Sequence, residues 1–204
     1  GVNSHAPRVG VDPLLADGTV TFLGQPVALV LATDRAVAER AAALVEVEYA
    51  AKPFVLDPFE AHAAQDYVVP PMRMVSRTVE DVDEALLHAS HRETGAFRMG
   101  GQEHFYLETM AALATPVDDG AVVIRSSTQH PTEVQHVAAK VLGLPFHRVR
   151  VECRRMGGAF GGKESQAAQV AALAALGALH LDRSVKVRLD RRTDDRVTGK
   201  RHPF

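Results

Sequence analysis

Cysteine is almost missing from this chain. Cys153 stands alone among 204 residues, so neither an internal disulfide framework nor a cysteine-held iron–sulfur cluster can form within it, and a reducing compartment suits it. An excess of one charge is missing as well: the formal net charge is -2 and the charges are interspersed, which leaves no basic stripe for a nucleic acid. No apolar run is long enough to span a bilayer, the longest, residues 167–181, being broken by Gln169, Gly177 and His180. No signal peptide is visible, and the expected location is cytoplasmic. The ten histidines include no His-Glu-x-x-His pair and have no cysteine partners, so a protein-ligated zinc site is not expected. A G-x-S-x-G nucleophile elbow and a G-x-G-x-x-G dinucleotide fingerprint are both absent, as are repeats and low-complexity segments. The chain opens on Gly1 and stops at Phe204 with no closing element, as expected of a piece of a longer polypeptide.

What is present is a normal globular composition, 46% hydrophobic, in two blocks. In the first, residues 19–24 and 27–32 are short β-prone runs, Asp34 can cap a helix over 35–44, and residues 45–49 alternate with period two, a ββαβ order. Residues 51–79 hold Pro53, Pro58, Pro70 and Pro71 with little periodicity and read as a connector, which places the boundary near Arg77. The second block predicts a helix over 80–89, strands near 93–99, 111–115 and 121–127, and a helix over 131–142 closed by Gly143. A strand over 149–153, a helix over 164–180 and a strand over 185–190 complete it. The predicted class is α+β, with residues 1–76 and 77–204 as its two parts.

The most informative stretch is Arg155-Met156-Gly157-Gly158-Ala159-Phe160-Gly161-Gly162-Lys163-Glu164, in which four glycines flank one phenylalanine between a strand and a helix. Glycines let backbone amides approach a bulky ligand, and such junctions suit oxygen-rich or phosphate groups. The segment also matches G-x-x-x-x-G-K, but Glu164 stands where a Walker loop needs a hydroxyl for Mg²⁺, which argues against a nucleotide triphosphatase. A ligand-free glycine turn is the plainer alternative. A second constellation, Gly100-Gly101-Gln102-Glu103-His104-Phe105-Tyr106-Leu107-Glu108, reads from residue types either as a lined pocket or as a strand end with solvent-facing charges. Glu133 and His136 share the Glu-x-x-His spacing of di-iron bundles, yet only one copy occurs and both read as helix-surface residues.

Taken in order, residues 101–108, then Ser127-Thr128-Gln129, then residues 155–164 closely resemble the xanthine dehydrogenase and aldehyde oxidase family of molybdenum hydroxylases. The resemblance runs over about residues 14–204, with Gly24-Gln25-Pro26-Val27-Ala28, the run 129–135, Asp190-Arg191, Thr198-Gly199 and Arg201-His202-Pro203-Phe204 in support. It is nearest to the bacterial molybdenum-binding subunit. It implies a small hammerhead-like ββαβ domain followed by the start of a mixed α/β molybdopterin-binding domain. It also implies a molybdenum–molybdopterin cofactor that no side chain ligates directly. Gln102 would set its amide beside an oxo ligand, while Phe160 and Gly161 would pack and hydrogen-bond at the metal through their backbone. Glu164 would face the substrate and favour a purine, xanthine or hypoxanthine, with water as the oxygen source. The family's general-base glutamate has no counterpart among these residues. Iron–sulfur clusters and FAD would belong to other domains or subunits, and a hetero-oligomer is implied. An aldehyde-oxidising member and a non-catalytic assembly fragment that docks with partner subunits stay open as alternatives.

Overall fold

A computed structural model describes residues 1–5, 12–72, 74 and 82–204, and the boundary placed near Arg77 falls outside them. The chain forms two compact units, Gly1–Ala42 with Arg98–Phe204, and Ala43–Phe97. The larger unit is built on a four-stranded mixed sheet, and the α+β expectation is met there.

Strand β1 (Ala111–Val117) turns through a 3-10 turn at Asp118–Gly120 into β2 (Ala121–Ser126), and the two pair antiparallel. Helix α4 (Pro131–Leu142) then crosses over to β3 (Val149–Glu152), which lies parallel to β2. Helix α5 (Ala167–Leu181) leads to β4 (Val185–Arg188) on the other side of β1, giving the order β3-β2-β1-β4. Alternation makes the sheet one-sided. Ala112, Ala114, Val122, Ile124, Val149 and Val185 are buried on one face, and register sets Ala114 opposite both Ile124 and Val185. Each strand therefore contributes its buried set to the same side.

Helix α4 carries Pro at its start and ends on Gly143 in the left-handed region, whose N–H caps the Ala139 and Lys140 carbonyls. Helix α5 is different. Eleven of its fifteen residues are buried, and most are alanines, so it can lie against both α4 and the sheet. Gly177 marks a close approach: a Cβ there would stand 2.9 Å from a Leu31 methyl. No helix among the described residues is long and apolar enough to cross a membrane.

Several expected strands do not form. No strand covers residues 19–24, 27–32, 45–49 or 93–99. In place of a ladder, Leu29 and Leu31 pack on the core, Gln25 Oε1 accepts from the Thr21 N–H and hydroxyl, and Pro26 O accepts from Ala16 N–H. Side-chain packing and these hydrogen bonds hold the segment. Asp34 does cap helix α1 (Arg35–Ala42), accepting from Val37 N–H at 2.9 Å. The stretch near 93–99 pairs at its end: Met99 exchanges two backbone bonds with Phe204, and Gln102 does so with Arg201. A helix that no periodicity announces, α6 (Arg191–Val197), is capped by the Asp190 carboxylate on Thr193 N–H.

The smaller unit holds helices α2 (Pro58–Ala63) and α3 (Val82–Leu87), neither with a buried residue. Asp57 caps α2 by accepting from Phe59 and Glu60 N–H groups. Of the helix expected over 80–89, residues 80 and 81 lie outside the described residues.

Candidate functional site

The three segments singled out in the sequence meet around one lysine. Lys163 is 0% exposed. Its Nζ donates to the Glu108 carbonyl at 2.7 Å and to Ser127 Oγ at 2.7 Å, and lies 3.4 Å from Glu108 Oε2. It also sits 4.5 Å from the centroid of the Tyr106 ring. The lysine backbone is held as tightly, for Lys163 N–H donates to Gln129 Oε1 while Lys163 O accepts from Gln129 N–H and the Thr128 hydroxyl. That carbonyl is therefore not free to take an i+4 helical bond, and α5 starts at Ala167 rather than at the expected Glu164.

Glu108 is the counterpart. Its Oε2 accepts from Ser127 Oγ at 2.7 Å and from Gly157 N–H at 2.9 Å, and Glu108 N–H returns a bond to Gly157 O. Partial burial pushes its carboxyl upward, but the Gly157 N–H, the Ser127 hydroxyl and the Lys163 ammonium outweigh it and hold it below the usual carboxylate range. Burial also pulls the Lys163 ammonium below its usual value, opposed mainly by the Glu108 charge. Below this pair, Tyr106 donates to the buried Asp194 at 3.3 Å, and Arg191 caps the Tyr106 and Leu107 carbonyls at 2.6 and 2.9 Å. Burial raises Asp194, and burial with the Asp194 charge raises Tyr106.

Glycine is required on the packed side of the loop. A Cβ on Gly162 would lie 2.8 Å from His104 Cγ and 2.8 Å from Tyr106 Cε1, and one on Gly157 would lie 2.6 Å from Glu108 Cβ. The other side is open: Phe160, in the left-handed region, is 75% exposed, and Gly161 and Glu164 are exposed beside it. The N–H groups of Phe160 and Gly161 have no acceptor among the described residues. His104 packs onto Gly161 and Gly162 with its Nδ1 buried and without a hydrogen-bond partner there.

Gln102 is exposed and lies at the other end of its segment. Its Oε1 accepts from Arg201 Nε at 3.3 Å, and Glu103 pairs with Lys200 at 2.6 Å. The closing run 201–204 thus holds the segment that starts at Gly100, whose carbonyl accepts from Arg201 at 2.7 Å. Glu164 lies three residues ahead of α5, so it is not a first-turn acid of that helix. Glu133 pairs with His130 at 3.3 Å on the surface of α4. The sequence reasoning passed over Lys163, Ser127, Asp194 and Arg191 as individuals. Only the unusual placing of a lysine directly after a glycine pair pointed to the first of them.

Among the described residues no three His, Cys, Asp or Glu side chains gather to hold a metal ion. The arrangement suits a bulky group that brings its own metal ligands: a loop pinned on one face by Lys163 and Glu108, with the Phe160 and Gly161 amides unspent among the described residues.

Two family models match the chain: the a/b hammerhead domain of aldehyde oxidase and xanthine dehydrogenase over residues 2–53, and the molybdopterin cofactor-binding domain over residues 64–204. Xanthine dehydrogenase of Drosophila subobscura is 43% identical over 99% of the chain, and probable aldehyde oxidase 1 of Oryza sativa subsp. japonica is 36% identical over 100%. The chain spans 15% of each of these relatives. The solved aldehyde oxidoreductase of Desulfovibrio gigas superposes with a TM-score of 0.78 at 28% identity, covering 98% of this chain and 22% of that one. With three motifs tied together at the Lys163–Glu108 ion pair and a family model matching well over half of its length, the chain belongs to the xanthine dehydrogenase and aldehyde oxidase family of molybdopterin-binding proteins.

Proposed function

We propose that this chain contributes the cofactor-facing loop and one substrate contact of a molybdenum hydroxylase that oxidises a purine, xanthine or hypoxanthine, with oxygen from water. The observation that carries the substrate assignment is Glu164: it is exposed, four residues after Phe160 and outside any helix, and no group among the described residues pairs with it. A free carboxylate next to the loop can accept from a purine N–H, an interaction an aromatic aldehyde does not offer. The higher identity to a xanthine dehydrogenase than to an aldehyde oxidase, 43% against 36%, supports the same choice.

The molybdenum–molybdopterin group, when bound, supplies the oxygen transfer and takes up the two electrons. This chain's residues do the holding. Phe160 and Gly161 present backbone N–H donors, and Gln102 offers an amide that can orient an oxygen ligand without titrating. Activity is assigned to the parent polypeptide, in which the general base would come from elsewhere. Iron–sulfur and FAD partners, a hetero-oligomeric assembly and a cytoplasmic location belong to the same reading, as does a division into a hammerhead domain over 1–76 and the first part of the cofactor domain over 77–204.

Glu164→Val in the parent enzyme tests the assignment. A hydrogen bond to a charged group is worth roughly 1.5–3 kcal/mol, so kcat/KM for xanthine should fall on the order of 10- to 150-fold while that for an aromatic aldehyde holds or rises. Equal losses on both substrates, or none on either, would remove Glu164 from substrate recognition and leave the aldehyde-oxidising reading in its place.

A further inference from the structure

We propose that Lys163 is a positioning residue: it pins the glycine loop so that the Phe160 and Gly161 backbone on one side and the Glu164 carboxylate on the other keep a fixed spacing. The inference rests on the reading of this site given above. Three observations carry it. The lysine is the residue between Gly162 and Glu164, so any shift of its backbone passes directly to both halves, within the few ångströms per residue that a chain can span.

The second observation is the way the loop is closed. A single carboxylate oxygen, Glu108 Oε2, accepts from Gly157 N–H at the start of the loop and faces Lys163 Nζ at its end. Between these two points Gly158 and Gly161 have φ of 91° and 90°, and nothing about glycine itself holds such angles. The ends must be held from outside. The third is the buried charge. A turn needs no ammonium group, and burying one fully costs stability unless it is paired and hydrogen-bonded. Lys163 spends its Nζ donors on Glu108 and Ser127 and both its backbone groups on Gln129 and Thr128, which fixes its position in every direction that the loop could move.

Three variants of the parent enzyme test this: Lys163→Met, the double variant Lys163→Met with Glu108→Gln, and Ser127→Ala, which removes one acceptor of the ammonium and leaves the ion pair. The readouts are amide hydrogen exchange of peptides over 156–164, the melting temperature, molybdenum content, and kcat and KM for xanthine and for an aromatic aldehyde. Lys163→Met should speed exchange over 156–164 at least about tenfold, leave peptides of α5 unchanged, and lower kcat on both substrates by about 10–100-fold, the usual effect of losing a residue that orients a metal site. The double variant should recover the melting temperature, because no partly buried carboxylate is left without its cation, while exchange stays fast and kcat stays low. Ser127→Ala should move exchange in the same direction by less. Recovery of exchange and kcat together with melting temperature in the double variant would mean that Lys163 only stabilises the fold, and the proposal would fail. Unchanged exchange in Ser127→Ala would overturn it as well, even where Lys163→Met does not fold. An enzyme that oxidises neither substrate would end the purine reading, and the exchange data would still decide the role of Lys163.

Discussion

Replacing Gly162 by alanine adds one methyl group at the tightest point of the site. The methyl carbon would stand 2.8 Å from His104 Cγ, 2.8 Å from Tyr106 Cε1 and 2.9 Å from His104 Nδ1, where carbon atoms ordinarily sit about 3.5–4.0 Å apart. Neither neighbour can swing aside cheaply. Tyr106 is held by Asp194 and lies under Lys163, and His104 is partly buried against the loop. Gly162 does not have a positive φ, so the cost is steric rather than conformational. Overpacking of this kind costs about 1–3 kcal/mol, and at about 2–4 °C per kcal/mol for a chain of this size the melting temperature should drop by roughly 2–12 °C. The control is Gly95→Ala, where a Cβ meets nothing within 4 Å and a change within about 0.5 kcal/mol is expected. Circular dichroism melts of the two variants beside the unaltered chain make the comparison. Equal melting temperatures for Gly162→Ala and Gly95→Ala would refute the claim that the loop lies directly on Tyr106 and His104.

Acid should loosen the same knot. The Glu108 carboxyl is held below its unfolded value of about 4.3, so its contribution is fully present above that value and is lost as pH falls through the lower folded one. Urea midpoints measured from neutral pH downward should therefore show an acid limb that Glu108→Gln flattens, and an unchanged limb would mean that this carboxylate does not stabilise the fold. Gln102→Ala in the parent enzyme should keep molybdenum content and lower activity by about 10–100-fold, whereas normal activity at normal metal content would reduce Gln102 to an acceptor for Arg201.

Local signals were the legible ones. The alternation of β1 and β2, Pro131 at the start of α4 and Gly143 behind it each act within a few residues, and each appears where the sequence places it. The glycine loop was legible as a loop because four glycines in six residues have few other uses. Elements fixed by distant partners were not legible. Helix α6 reads Arg-Arg-Thr-Asp-Asp-Arg-Val, without an apolar face, and exists through the Asp190 cap and the bond from Tyr106 to Asp194. The start of α5 was placed three residues early because nothing local reveals that the Lys163 carbonyl is taken by Thr128 and Gln129. Residues 27–32 have strand composition, yet Leu29 and Leu31 satisfy it by packing on the core rather than by pairing. Of the site, the motifs were visible and the ion pair joining them was not, since a lysine in a sequence looks solvated until a glutamate and a serine from elsewhere in the chain surround it.

The contacts of the Lys163 knot also set an order in time. The β1 and β2 strands are joined by three residues and can pair early, as hairpins do within microseconds. The bond from Ser127 to Glu108 spans 19 positions, those from Lys163 to Glu108 span 55, and that from Tyr106 to Asp194 spans 88. Each requires a longer segment to be closed before it returns any stabilisation. During synthesis, Glu108 and Ser127 must wait for residue 163, and Tyr106 must wait for residue 194. By this measure the bonds that pin the glycine loop carry a larger closure cost than the hairpin does, so the loop owes its rigidity to contacts far apart in the chain.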